Sequence, residues 1–410
     1  MYSVNVVTRI SNVLIMDRRK FIKNSALASS LFFVPNFVKA FETIASERLG
    51  YKRLVIIQLA GGNDGLNTII PHNNDLYYNA RPKLAITKDI IKLNNDLGFH
   101  PSLAPLRPLY DSGELSIINN VGYPNPVRSH FRSMDIWQTA SGSEEYLQSG
   151  WLGRYMDQHG KKPYNAIEMD EQLSLALKGE HFNGIATSDY KVLYNSSRDP
   201  YFKSIINHYN DTHLSEHNLG YLYQTMIEAK SSANYIYENT KVKLSQQDYP
   251  QNGFAKQLKN VAQFINSDLE TKVFYTSLGG FDTHANQENK QKRLLSQYAE
   301  SVSAFVKDLK RSETFEDTLI LTFSEFGRRV KQNAANGTDH GAANNVFVIG
   351  KNLKKAGFYN NLASLSDLDD NGDLKYSIDF RSVYSTILSQ WMDVSTNGII
   401  PTEQKLLDFI

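Results

Sequence analysis

Carboxylate and imidazole side chains follow three apolar runs of this sequence, at the point where each run ends. The candidate metal ligands are Asp64, Asp282, His284, Glu325, Asp339 and His340. Grouped in one place, such side chains form an oxygen and nitrogen ligand set that suits zinc, manganese, magnesium or calcium. Two divalent ions about 4 Å apart in such a set would polarise an ester oxygen and lower the pKa of bound water.

The apolar runs that precede these side chains predict strands. They are Arg53–Leu59, Thr271–Ser277 and Thr318–Phe323, and Asn345–Ile349 follows the Asp339–His340 pair. The runs are short, rich in branched or aromatic residues and not alternating, which is typical of strands buried on both faces. An amphipathic helix is predicted across residues 294–309, between two of the runs. Because parallel strands joined by helices bring their carboxyl ends to one edge of a sheet, we expect the six side chains to lie close together.

Other roles remain open for several of these residues. Asp64 lies in an Asn-Asp-Gly sequence, which also favours a turn, and Asp282 could cap the helix that follows it. Asn63 is presented at the same strand end and is a candidate for substrate binding. Arg328 is a candidate for binding an anionic substrate, but it could equally form a salt bridge with Glu325.

Composition limits the classes of function. The chain has 410 residues, 44 basic and 43 acidic, with a formal net charge of +1. This balance gives no overall field that would recruit nucleic acid or an anionic membrane. Cysteine is absent, which excludes disulfides, thiolate metal sites and a cysteine nucleophile. The length fits one large domain or two ordinary ones.

The N-terminal residues 1–40 predict an export signal. Arg18 and Arg19 precede a moderately apolar stretch, Ser25–Val38, and small residues follow at the cleavage position. The paired arginines are typical of twin-arginine export, with the twin-arginine translocase as partner and a periplasmic or secreted location. Met1 and Met16 are both candidate starts. A basic helix or a membrane anchor is the alternative, although the stretch is shorter than the ~20 residues of a membrane span.

The mature chain is then predicted as one domain, residues 41–410, with a helical insertion around residues 165–265 and without a membrane span. A helix is predicted from Ser129, its N-cap, to Thr139, and backbone donors at such a helix start favour an anion. Residues 367–373 resemble the first half of a calcium loop. We interpret them as a polar turn, because Ile378 stands where a calcium loop needs a bidentate Glu.

The order of these motifs resembles the alkaline phosphatase and sulfatase superfamily. More closely, the chain resembles a large family of twin-arginine-exported bacterial proteins placed in that superfamily. The motifs that carry the resemblance are Gly61–Gly65, Ser129–Phe131, Gly280–His284, Ser324–Arg328, Asp339–Gly341 and Asp379–Tyr384. The resemblance covers nearly everything after the signal.

The resemblance implies an α/β fold, a three-layer α/β/α sandwich with a mostly parallel central sheet and metals at the carboxyl ends of its strands. It assigns Asp64 and the Ser324–Glu325 pair to one metal, and Asp282, His284 and His340 to the other. The catalytic slot falls on Ser129 and His130. Ser129 is either the nucleophile or a plain N-cap, and His130 is a metal ligand, a general acid or a hydrogen-bonding group.

Two functions follow from these expectations. The first is an exported, metal-dependent hydrolase of phosphate or sulfate esters, acting on a small-molecule or glycan ester. The second is a non-catalytic secreted protein that keeps the fold and binds a sugar, an anion or a partner protein, since a fold does not guarantee chemistry.

Overall fold

The computed structural model describes residues 51–200, 218–240 and 245–410. The signal predicted at residues 1–40 lies outside this part of the chain. The described residues between Lys52 and Ile410 form one compact unit.

The strands are labelled in chain order. They are β1 (Arg53–Ala60), β2 (Ile69–Ile70), β3 (Ile91–Lys92), β4 (Gly98–Phe99), β5 (Leu115–Gly122), β6 (Ala166–Glu168), β7 (Ile185–Ala186), β8 (Val273–Gly279), β9 (Thr318–Phe323), β10 (Asn344–Ile349), β11 (Gly357–Phe358) and β12 (Ile378–Asp379). The predicted runs thus coincide with β1, β8, β9 and β10 to within two residues at each end.

The helices are labelled in the same way. They are α1 (Asp75–Ala80), α2 (Arg107–Asp111), α3 (His130–Thr139), α4 (Trp151–His159), α5 (Tyr190–Ser197), α6 (Asn218–Thr240), α7 (Gly253–Asn266), α8 (Gln287–Arg311) and α9 (Phe380–Thr386). The last helix continues into a π-helical turn, Ile387–Trp391.

Among the described residues the central sheet has nine strands. Its main path runs β11-β5-β10-β9-β1-β8-β6-β7, and β12 also pairs with β5. β1 is parallel to both of its neighbours, β8 and β9. β10 is antiparallel to β5 and to β9. The carboxyl ends of β1, β5, β8 and β9 and the start of β10 therefore meet at one edge of the sheet.

Helices cover both faces of this sheet. Val55, Ile57 and Leu59 of β1 point to one core, which includes apolar residues of α7 and α8. Leu54 and Ile56 point to the other, which includes residues of α3, α4 and α9. The predicted three-layer α/β/α sandwich with a mostly parallel sheet is confirmed.

Residues 165–265 differ from a purely helical insertion. Their described part contains helices α5, α6 and α7, but β6 pairs with β8 and β7 pairs with β6, so both strands extend the central sheet. Within the described residues, none of the helices has the length and apolar character needed to cross a membrane.

Candidate metal centre

Four side chains from three different connections meet at the edge where the strand ends gather. Asp282 and His284 follow β8, His340 precedes β10, and His130 is the first residue of α3, reached from the end of β5. Ligand atoms of His130, Asp282 and His340 all lie within 4.8 Å of one another. His284 adjoins this trio. We call these four residues the metal centre.

The Nε2 atoms of the histidines converge on one carboxylate oxygen, Oδ1 of Asp282. The distance from this oxygen is 3.1 Å to His284, 3.3 Å to His340 and 3.5 Å to His130. The Nε2 atoms of His284 and His340 are 2.9 Å apart. Two ligand atoms that share a zinc ion at 2.0–2.1 Å lie about 3.3 Å apart in tetrahedral geometry, so these spacings fit one ion.

Each histidine ring is fixed through its other nitrogen. Nδ1 of His130 lies 2.9 Å from Oε1 of Glu325, and Nδ1 of His284 lies 3.1 Å from Oδ1 of Asp339. Nδ1 of His340 lies 2.7 Å from the backbone carbonyl oxygen of Arg128. All three partners are acceptors, so in the neutral form of each ring Nδ1 carries the proton and Nε2 presents a lone pair. Hydrogen bonds of this kind orient metal-ligating histidines in proteins.

Lone pairs facing each other at these distances repel unless a cation or a proton lies between them. The Nε2 atom of His130 is also buried and has no hydrogen-bond partner among the described residues. An unpaired buried nitrogen of this kind costs free energy. The residues present therefore fit a divalent metal ion.

The charges at the centre favour the ligand forms of two of these side chains. Partial burial opposes ionisation of Asp282, but the hydrogen bond and the charge of Arg328, together with the neighbouring histidines, outweigh it and hold the carboxyl pKa well below its usual range. Burial lowers the pKa of His340, which favours the neutral ring. The hydrogen bond to Glu325 raises the pKa of His130.

Glu325 and Asp339 lie behind the histidines. Glu325 is fully buried, and its Oε1 accepts the backbone N–H of Gly61 at 2.7 Å in addition to its contact with His130. Asp339 contacts His284, and its pKa is lowered by a hydrogen bond from Asn333 and by His284. By their positions, Glu325 orients His130 and Asp339 orients His284.

Asp64 is not brought to the metal centre. Its carboxylate pairs with the guanidinium of Arg81 at 2.6 Å, accepts from Gln287 at 2.5 Å and caps the backbone N–H of Leu66. Asp64 and Arg81 are both almost completely buried. The prediction that Asp64 and Glu325 hold a second metal is not supported by this placement, because their carboxylates point to different partners.

Asn63 is likewise part of the interior. Its side chain bonds to Thr68 at 2.9 Å and is 3 % exposed, and its backbone N–H donates to Ser324. It is thus not placed to reach a substrate.

Arg328, predicted to bind an anionic substrate, is 2 % exposed. Its guanidinium donates to the backbone carbonyls of Gly61, Gly62, Phe281 and Thr338 and to Asp282, at 2.8 Å for the last. Because Arg328 is buried and each of its three guanidinium nitrogens donates inside the protein, it connects the ends of β1 and β8 and is not placed to bind a substrate.

Ser129 is the N-cap of α3, as predicted, although its side chain makes no capping hydrogen bond. It is exposed and directly precedes His130. No base is placed against its hydroxyl among the described residues, so the geometry does not activate Ser129 as a nucleophile.

Sequence reasoning missed Arg81, Gln287 and Arg128. The first two neutralise and hold Asp64, and the carbonyl of the third orients His340. Neither periodicity nor spacing signals contacts of this kind. The sequence does indicate His130, because this residue lies at the predicted start of a helix and in the catalytic slot that the resemblance implies.

The similarity to solved structures is low in identity. The C-terminal periplasmic domain of EcEptC from Escherichia coli, in complex with Zn, is 11% identical with a TM-score of 0.39, over 86% of this chain and 87% of that one. The PsFucS1 sulfatase from Pseudoalteromonas sp. is 11% identical with a TM-score of 0.39, over 88% and 72%. A protein in the alkaline phosphatase superfamily from Vibrio parahaemolyticus is 12% identical with a TM-score of 0.32, over 73% and 60%. Similarity at this level identifies neither a ligand nor a substrate of this chain.

The comparison with curated proteins gives no match. A family model does match, over residues 113–398, which include β5, all four residues of the metal centre and α9. Because this match spans more than half of the chain, the protein belongs to the family described as "Protein of unknown function (DUF1501)".

Proposed function

We propose that this protein is a metal-dependent hydrolase of phosphate or sulfate esters, with one divalent ion held by His130, Asp282, His284 and His340. The observation that carries the proposal is the convergence of the three Nε2 atoms on Oδ1 of Asp282, at 3.1–3.5 Å. Each ring is fixed by an acceptor on Nδ1, so the lone pairs are aimed before any ion arrives.

Zinc is the ion that this set favours. Three imidazole nitrogens and one carboxylate oxygen suit zinc, whereas magnesium and calcium prefer oxygen ligands. A zinc ion bound here would supply Lewis acidity toward an ester oxygen and toward water.

The residues around the centre leave one side open to a substrate. The side chains of Asp282 and His284 are 48% and 45% exposed, while those of His130 and His340 are 27% and 20% exposed. Phe326 covers the inner side, with its ring centroid 4.8 Å from that of His130 and 4.6 Å from that of His340. An open side is expected of a catalytic site rather than a purely structural one.

An anionic ester group would find backbone donors next to the centre. The helix α3 begins at His130, so the first N–H groups of the helix lie beside a ligand of the ion. Helix N-termini favour anions through these donors and the helix dipole. This supports a phosphate or sulfate ester as the substrate class, with a small molecule or a glycan as the esterified group.

Metal analysis of the purified protein tests the proposal. About one equivalent of zinc is expected per chain, and Asp282→Asn or His340→Ala should weaken zinc binding by at least a hundredfold while the far-UV circular dichroism is unchanged. A panel of nitrophenyl phosphate monoesters, phosphate diesters and sulfate esters should then show zinc-dependent hydrolysis that both variants lack. A wild-type protein that binds no divalent ion, even on reconstitution, would disprove the metal centre.

The panel also separates the rival function. Zinc bound with full affinity, together with no turnover of any ester, would favour a non-catalytic binding protein on the same fold.

Export remains part of the proposal. Arg18, Arg19 and the apolar stretch that follows support a twin-arginine signal and a periplasmic or secreted location. Cell fractionation tests it, and a cytoplasmic pool that keeps residues 1–40 would contradict it.

A further inference from the structure

We propose that Arg128, held by Asp369 and Asp373, is a positioning residue for the metal centre. The inference rests on the proposed function, since it assumes that the centre binds a metal ion. The inference also assigns a role to residues 367–373, which the sequence analysis interprets only as a polar turn resembling the first half of a calcium loop.

The backbone of Arg128 is linked to two ligands of the centre. Its carbonyl oxygen accepts the Nδ1–H of His340 at 2.7 Å, which fixes the ring plane and the tautomer of that histidine. It also lies two residues before His130, in the segment between β5 and α3 that has no regular secondary structure. A shift of this backbone would therefore move one ligand directly and release the other.

The side chain of Arg128 anchors that irregular segment. Its Nε donates to Oδ2 of Asp373 at 2.7 Å, and its Nη2 donates to Oδ2 of Asp369 at 2.9 Å and to Asp373 as well. A guanidinium that donates through two nitrogens to fixed carboxylates has its orientation set as well as its charge balanced.

The two carboxylates are themselves held in place. Oδ1 of Asp369 accepts the backbone N–H groups of Asn371 and Asp373, both at 2.9 Å. Asp373 is fully buried, and Arg329 lies 3.7 Å from its second oxygen. The turn thus presents its carboxylates to Arg128 from a rigid frame.

Fold stability alone is a poor reason for this arrangement. Burying a carboxylate such as that of Asp373 has a desolvation cost that a salt bridge often only offsets, and an apolar contact would do as well. The arrangement instead fixes a carbonyl oxygen that orients a histidine. The expected consequence of releasing it is a weaker metal site, as for other partners that orient metal-ligating histidines.

Zinc affinity, measured by competition with a chromophoric chelator, tests the inference on full-length protein. Asp373→Asn should weaken zinc binding by roughly tenfold to a hundredfold, the range known for residues that orient metal ligands. The absorption spectrum of the cobalt-substituted protein should also change, because the ligand geometry changes. The zinc affinity of Arg128→Lys should lie between those of the wild type and Asp373→Asn. Lysine keeps the positive charge but cannot donate through two guanidinium nitrogens to the carboxylates.

Glu114→Gln is the matched control. Glu114 is a buried carboxylate paired with Lys310, and it precedes β5 at the opposite edge of the sheet. The Glu114→Gln substitution should lower the unfolding temperature without changing zinc affinity or the cobalt spectrum. If Asp373→Asn does not fold, zinc affinity and the cobalt spectrum are measured on Asp369→Asn instead, because the side chain of Asp369 is 25% exposed.

The outcomes are distinct. Wild-type affinity and an unchanged cobalt spectrum in the Asp369 and Asp373 variants would overturn the positioning role and leave the proposed function standing. A wild-type protein that binds no metal would overturn both.

Discussion

At the scale of single residues, two aspartates with the same sequence context serve different purposes. Asp64 and Asp282 each follow a glycine-containing turn after a buried strand. Asp282 has its Oδ1 among three histidines, whereas Asp64 is paired with Arg81 inside the protein. Each carboxylate contacts a buried guanidinium, that of Arg81 for Asp64 and that of Arg328 for Asp282. The difference lies in exposure, because the side chain of Asp64 is almost completely buried whereas that of Asp282 is 48% exposed and lies beside imidazole nitrogens.

Asp64→Asn should therefore destabilise the fold and leave the metal centre intact. Removing one partner of a buried ion pair costs roughly 3–5 kcal/mol, because the charge of Arg81 would remain buried without a full counter-charge. Urea denaturation measures the loss, and zinc titration of the folded variant should give the wild-type affinity. Asp282→Asn is the matched comparison, because it should lose zinc affinity while the fold stays intact. Loss of zinc binding in folded Asp64→Asn would restore Asp64 to the ligand set.

At the scale of elements, the sequence predicts more of the strands than of the contacts between their ends. The buried runs of β1, β8 and β9 and the helix start at His130 follow from apolar pattern and capping chemistry. The convergence of their polar ends follows from parallel pairing. The sequence does not show that Arg328 joins these ends through backbone carbonyls, nor that β6 and β7 widen the sheet, because such pairings depend on residues far apart in the chain.

The join between β1 and β8 depends on Gly61. Its φ is +116°, and a Cβ there would lie 2.4 Å from the backbone nitrogen of Asp282. Its N–H also donates to Glu325. Gly61→Ala should push the Asp282 segment away from β1, lowering both the unfolding temperature and zinc affinity, the latter by about tenfold or more.

Gly279→Ala is the control for that substitution. Gly279 ends β8, and a Cβ there would meet nothing within 4 Å. In thermal melts and zinc titrations, Gly61→Ala should have a lower unfolding temperature and a lower zinc affinity than Gly279→Ala. Equal zinc affinity in Gly61→Ala and Gly279→Ala would show that the close approach of the two strand ends does not position the centre.

At the scale of the whole molecule, helices cover both faces of the sheet, so the polar groups lie mainly at its edges. The metal centre lies at the edge where the strand ends meet. The free-energy cost of burying polar groups there is partly offset by ion pairs and hydrogen bonds. Glu168, the last residue of β6, is different. It is 4 % exposed, and its carboxyl group accepts the backbone N–H of Ser174 at 2.6 Å, without an ion pair to a cation among the described residues. Its protonation therefore bears on the stability of the whole fold.

Burial raises the pKa of the Glu168 carboxyl from its ordinary value of 4.5 to about 7, although the hydrogen bond from Ser174 acts in the opposite direction. The folded state therefore keeps this proton to higher pH than the unfolded chain does. The stabilisation is complete below pH 4.5 and is lost as the pH rises through 7. The loss is on the order of 3 kcal/mol, at 1.36 kcal/mol per unit of pKa.

Glu168→Gln should remove this dependence, since glutamine resembles the protonated acid at every pH. Urea denaturation of both proteins between pH 4 and 8 measures it. The two free energies of unfolding should be similar at pH 4, and the variant should become the more stable by about 3 kcal/mol at pH 8. The difference between the two proteins cancels the titration of all other groups, the histidines of the metal centre included. Parallel pH profiles would mean that folding leaves the pKa of the Glu168 carboxyl unchanged, with water or a rearranged partner satisfying its charge.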